Sequence, residues 1–125
     1  MKKGLKILIA DRNPHVRKFL KREMTTEGYE VQLAENGRQV LKLVQNSEPI
    51  DLLILDPDLS DADESSLLKT LRDRMPNLPI IIHTFLSDYV DQSSVLTEAI
   101  FVEKKATSVE RLKQVVFGIL KKSNS

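Results

Sequence analysis

Cysteine is absent from this chain, which excludes a disulfide framework, a thiolate metal site and a cysteine nucleophile. Neither sign of charge is in excess. Nineteen Lys and Arg against 18 Asp and Glu leave a formal net charge of +1, too weak a field to gather nucleic acid or an anionic membrane. Aromatic residues are few at 5%, and with 41% hydrophobic and 30% charged residues the composition is that of an ordinary globular protein. No apolar run approaches the roughly 20 residues of a membrane span, and Met1-Lys2-Lys3-Gly4 leads into too short a stretch for a secretory segment. A cytoplasmic protein with no nucleic-acid or membrane partner is therefore expected. There is no internal repeat and no low-complexity linker, so residues 1–125 read as one domain, with 122–125 as a solvated tail. The Gly-Lys-Ser or Gly-Lys-Thr of a P-loop is missing, and Asp11-Arg12-Asn13-Pro14 is too charged and glycine-poor for a flavin phosphate loop. Two histidines, His15 and His83, are too few for a zinc site; His15 reads as surface and His83 as a hydrogen-bonded core residue.

What the sequence does contain is organised around Ile50-Asp51-Leu52-Leu53-Ile54-Leu55-Asp56-Pro57. Leu52 to Leu55 run without alternation, as a strand buried on both faces does, and Pro57 ends it. Around it the chain alternates between strand and helix periodicity. Leu5 to Ala10, Tyr29 to Leu33, Ile80 to Thr84 and Ala99 to Val102 read as strands. Asn13-Pro14, Asn36-Gly37, the acidic loop ending at Asp63-Glu64, and Thr107-Ser108 read as helix starts. Ser87 to Glu98 is the weakest helix, rich in serine, aspartate and β-branched residues. Five strands, each followed by a helix, imply a doubly wound α/β fold with a parallel sheet and right-handed crossovers. The chain's size suits the flavodoxin-like strand order 2-1-3-4-5 with five helices.

In that order the first and third strands are neighbours, and Asp11 and Asp56 meet at the switch point where such folds place their chemistry. Two carboxylates about 4 Å apart repel by roughly 4 kcal/mol at an effective dielectric near 20, so a cation or proton must compensate. Mg²⁺ holding phosphate oxygens is one solution, and a carboxylate can itself accept a phosphoryl group as an acyl phosphate. Thr84, ending the fourth strand, is placed to donate to a phosphoryl oxygen, and Lys104, past the fifth, to neutralise one.

With these residues in place, the chain resembles the receiver domain of two-component response regulators, of the single-domain chemotaxis-regulator type. The resemblance rests on Ile7 to Asp11, Gly28 to Val31 followed by Ala34 to Gly37, Asp51 to Asp56, Leu78 to Ile82 with Thr84, and Phe101 to Lys104. It implies a signalling switch and not an enzyme, with Asp56 as phosphoacceptor, Asp11 as one of an acid pair, Thr84 and Phe101 as switch residues and Lys104 as the phosphate-contacting lysine. It further implies a histidine kinase or phosphotransfer protein upstream, a downstream protein target reached by protein contact, and a monomer or weak homodimer.

Several positions depart from that pattern. Arg12 stands where the family usually has a second metal-binding acid, and Asp58 is an extra acid two residues past Asp56. Lys105 and Ser60 replace familiar prolines, and Glu64 a familiar glycine. Reversing one charge about 6 Å from a divalent ion costs roughly 10 kcal/mol at a dielectric of 20, before relaxation, which opposes Mg²⁺ binding by Asp11, Asp56 and Asp58. The acidic pocket is thus expected to hold Asp11, Arg12, Asp56 and Asp58. The alternative expectation is a pseudo-receiver that is not phosphorylated, with the Arg12 guanidinium inside the pocket, paired with Asp56 or Asp11 in place of the metal.

Overall fold

The computed structural model describes residues 4–46, 48–61, 64–85 and 99–123. Its strands are β1 (Lys6–Ala10), β2 (Glu30–Ala34), β3 (Leu52–Leu55), β4 (Ile80–Thr84) and β5 (Ile100–Glu103). Its helices are α1 (Pro14–Thr26), α2 (Gly37–Val44), α3 (Glu64–Arg74) and α4 (Ser108–Ser123). All strand pairs are parallel, in the order β2-β1-β3-β4-β5. That is the expected order. The expectation of five helices is corrected to four among the described residues; the helix expected over Ser87 to Glu98 lies outside them. No helix among the described residues is long and apolar enough to cross a membrane.

The unalternating run of β3 is explained by its central place. Leu53 and Leu55 face one core with Leu8, Ala10, Ile80 and Ile82, covered by Val40 and Val44 of α2 and Leu67, Leu68 and Leu71 of α3. Leu52 and Ile54 face the other with Ile7, Ile9 and Ile81, covered by Leu20 and Met24 of α1 and Leu112, Val116 and Leu120 of α4. Each β3 side chain is at most 1% exposed, a burial that stabilises the fold by roughly 2 kcal/mol per residue. A charge in β3 would have no wet face to turn to.

Helix ends follow from local chemistry. The Asn13 side chain accepts from the His15 and Val16 N–H groups at 2.9 and 3.4 Å, and Pro14 occupies the first turn, where its missing N–H costs nothing. α1 stops where Gly28 takes a φ of 98°, a left-handed conformation that strains any residue with a Cβ. Asn36 caps α2 through the Gln39 N–H at 2.9 Å. A second cap comes from far away in sequence: Asp61 accepts from the Gly37 and Arg38 N–H groups at 2.7 and 3.2 Å. Those bonds hold its carboxyl below the usual range, the Gly37 N–H contributing most. The loop after β3 is thereby tied to the start of α2.

Candidate functional site

The ladder of the sheet continues one residue past the strands and carries the acids with it. The Asp11 N–H donates to the Ala34 carbonyl at 3.1 Å, the Asp56 N–H to the Ala10 carbonyl at 2.9 Å, and the Lys104 N–H to the Thr84 carbonyl at 2.9 Å. Asp11, Asp56 and Lys104 therefore stand at one end of the sheet, above β1, β3 and β5. Asp11 and Asp56 are 2% and 6% exposed, so each charge is largely withdrawn from water.

Each aspartate divides its two oxygens the same way. One braces its own loop: Asp11 Oδ1 accepts from the Asn13 N–H and Asp56 Oδ1 from the Asp58 N–H, both at 2.9 Å. These are turns in which an aspartate folds the chain two residues on back over itself. The other oxygen meets lysine. Lys104 Nζ lies 2.7 Å from Asp11 Oδ2 and 2.6 Å from Asp56 Oδ2. One ammonium thus separates two carboxylates that would otherwise repel. Burial pulls the Lys104 pKa down, but its hydrogen bonds to Asp11 and Asp56 outweigh that, and the net shift is upward. The lysine stays charged throughout the neutral range.

This arrangement corrects the expectation for Arg12. Its guanidinium is on Asp58, with Nη2 3.4 Å from Asp58 Oδ2, and not on Asp56 or Asp11. Both partners sit at the mouth, with side chains 59% and 45% exposed. The physical reason is direction. Arg12 follows a residue that points inward, so it points out and keeps its hydration, while β5 delivers an already buried ammonium from the opposite side. The pseudo-receiver reading loses the contact on which it rested.

Thr84 is buried at 2% exposure and pairs in register with Glu103. Phe101 pairs with Ile82 two residues earlier, on the same face as Thr84, and is partly buried against the core of α2 and α3. The structure therefore brings Asp11, Asp56, Thr84 and Lys104 to one sheet end, with Arg12 and Asp58 at the rim and Phe101 further down the sheet.

Three neighbours were not singled out as site residues from the sequence. Phe85, immediately after Thr84, sets its half-exposed ring 5.4 Å from Lys104 Nζ, a cation–π distance. Its place directly past a strand end was the available signal. Arg17 Nη1 donates to the Asp11 carbonyl at 2.6 Å, from a helix position that no local pattern links to the site. Ser108, buried at the start of α4, lies with Oγ 3.0 Å from His83 Nε2. Burial, followed by the Lys104 charge, lowers the His83 pKa to about 4, with Asp56 opposing. His83 is thus a neutral core histidine, and His15 is exposed. A cleft of about 440 Å³ opens between α1 and the turn after β5, but its walls, including Val16, Phe19, Phe85 and Val109, are mostly apolar. The buried carboxylates and the Lys104 ammonium between them lie beside it.

A hard divalent ion fits the donor chemistry of Asp11 and Asp56, both oxygen ligands. Lys104 and Arg12 already offset part of the charge, and no group of three His, Cys, Asp or Glu suited to a metal stands among the described residues. An ion here would keep much of its water.

Comparison with known proteins gives a consistent picture. The family model of the response regulator receiver domain matches residues 7–117. The DNA-binding transcriptional regulator NtrC of Proteus hauseri is 39% identical over 88 residues, which cover 70% of this chain and 18% of that protein. This chain thus spans less than a fifth of that relative. Response regulator protein TrrA of Thermotoga maritima, solved in complex with Mg²⁺–BeF, aligns at 30% identity with a TM-score of 0.79, covering 92% of this chain and 98% of that one. A chain from the solved complex of histidine kinase ThkA with TrrA aligns at 32% identity and a TM-score of 0.81, covering 93% and 98%. Because NtrC is a DNA-binding transcriptional regulator, the expectation that nucleic acid is no partner is not supported.

Proposed function

Since this chain belongs to the response regulator receiver domain family of two-component signalling, we propose that Asp56 is its phosphoacceptor and that the pocket built by Asp11, Thr84 and Lys104 serves that transfer. The observation that carries the reading is the single Lys104 ammonium bonded to both Asp11 and Asp56. It sets one ammonium against two buried carboxylates at a sheet end, and a carboxylate oxygen is the nucleophile the reaction needs.

An Asp56 oxygen attacks phosphorus, the new P–O bond forms as the bond to the leaving group breaks, and an acyl phosphate results. The donor is a phosphohistidine of a kinase or phosphotransfer protein, whose imidazole leaves, or a small acyl phosphate, whose carboxylate leaves. The complex of TrrA with ThkA supports a kinase as partner. Lys104 then pairs with phosphoryl oxygens, and the Thr84 hydroxyl donates to another. Mg²⁺ held by Asp11 and Asp56 would supply further neutralisation of phosphoryl charge, in keeping with the Mg²⁺–BeF complex of TrrA. Asp58 is engaged by Arg12 and contributes less.

Output follows from the same contacts. A Thr84 hydroxyl drawn toward the phosphoryl group vacates space on the sheet face it shares with Phe101, whose inward turn reshapes the β5–α4 surface for a downstream protein. The acting form is a monomer or a weak homodimer. Incubation with acetyl phosphate and Mg²⁺, followed by intact mass and amide NMR, tests the reading. Phosphorylation is expected in the natural chain and not in Asp56→Asn, with amide shifts at Thr84 and Phe101. Equal modification of Asp56→Asn would overturn it.

A further inference from the structure

The Arg12–Asp58 pair at the mouth of the pocket has a use that the pocket itself does not explain. The Asp58 N–H donates to Asp56 Oδ1 at 2.9 Å, so the residue that holds the guanidinium is itself tied to the Asp56 carboxylate. The pair is loose. The contact is 3.4 Å, longer than a charge-assisted hydrogen bond, and both side chains are about half exposed, so the pair is worth little and parts easily. Lys104 approaches the same carboxylate from the β5 side. One cation is thus bonded to Asp56 itself, and a second is loosely paired with the residue that braces it.

We infer that Arg12 is a phosphoryl-binding residue of this site, exchanging Asp58 for the oxygens of a phosphoryl group carried on Asp56. The inference rests on the phosphoacceptor reading above. Counting charges shows why the exchange goes forward. Asp11, Asp56 and Asp58 against Lys104 and Arg12 leave one net negative charge, and replacing the Asp56 carboxylate by a phosphoryl group of about two negative charges adds another. That second charge lands beside the mouth, where the guanidinium is a weakly held cation. Its planar fork matches phosphoryl oxygens better than it matches the single distant contact it gives up. The residue that weakens the site for a divalent cation thereby strengthens it for the phosphoryl group, and the two effects carry opposite signs.

That opposition makes the test decisive. Beryllofluoride, which mimics a phosphoryl group on a carboxylate, is titrated into the natural chain, Arg12→Ala and Arg12→Lys, with amide shifts as readout and Mg²⁺ raised until it saturates each protein. Mg²⁺ alone is titrated in parallel. Arg12→Ala is expected to bind Mg²⁺ more tightly yet beryllofluoride about tenfold more weakly, with Arg12→Lys recovering part of the loss. Unchanged or tighter beryllofluoride binding by Arg12→Ala at saturating Mg²⁺ overturns the inference, because Arg12 then acts on the metal alone. A natural chain that binds no beryllofluoride at any Mg²⁺ concentration overturns the phosphoacceptor reading and this one together.

Discussion

Replacing Lys104 by Met removes the one ammonium that separates Asp11 from Asp56 while keeping most of the side chain's apolar volume. The three side chains are 10%, 3% and 8% exposed, so the orphaned carboxylates gain little from water. Removing one partner from a buried, hydrogen-bonded charge group costs about 3 to 5 kcal/mol. A repulsion of roughly 4 kcal/mol between carboxylates about 4 Å apart at a dielectric of 20 gives the same order. We expect a loss near 3 kcal/mol, since the site lies at a sheet end and can relax toward solvent. With a urea dependence of about 2 kcal/mol per molar, the unfolding midpoint falls by roughly 1.5 M. The decisive assay is a double-mutant cycle with Asp56→Asn. In that background only Asp11 is left facing the missing ammonium, so Lys104→Met should cost less than half as much. A second readout is Mg²⁺, which should stabilise Lys104→Met more than the natural chain. Equal costs in both backgrounds would show that Lys104 acts by packing and not by charge, and the electrostatic account of the pocket would be refuted.

Other expectations concern single groups. Because the folded state holds the His83 pKa near 4, below its ordinary 6.5, its neutral form favours folding above pH 6.5. About 3 kcal/mol is therefore lost as pH falls from 6.5 toward 4, and His83→Leu should flatten urea midpoints across that window. The raised Lys104 pKa works at the other end: its contribution is complete below 10.5 and disappears as pH rises through the higher folded value, so the stability gap between the natural chain and Lys104→Met should narrow in that alkaline range. Arg12→Asp should strengthen Mg²⁺ binding by at least about tenfold, read by amide shifts in a metal titration; no gain would mean that Arg12 never opposed the metal. Asp61→Ala should speed amide exchange at Gly37 and Arg38, and unchanged exchange would show that Asn36 caps α2 alone.

Much of this molecule is local chemistry and was legible along the chain. The Leu52 to Leu55 run declares a central strand because only a strand covered on both faces tolerates no polar position. Asn13-Pro14 and Gly28 mark α1 because capping and a left-handed φ are properties of single residues. With strand order inferred from size and alternation, Asp11 and Asp56 had to be neighbours, since parallel strands present their carboxyl ends together. What tertiary structure alone decided is which partner each polar group takes across the fold. From the sequence Arg12 and Lys104 were both available cations; the direction of one side chain after β1 and the approach of β5 place Lys104 between the acids and leave Arg12 on Asp58. The Asp61 cap of α2 and the His83–Ser108 contact join residues 24 and 25 positions apart, distances at which no periodicity or cap rule speaks. Backbone preference acts within a few residues, whereas a buried charge is satisfied by whatever the packed layers bring within about 3 Å of it.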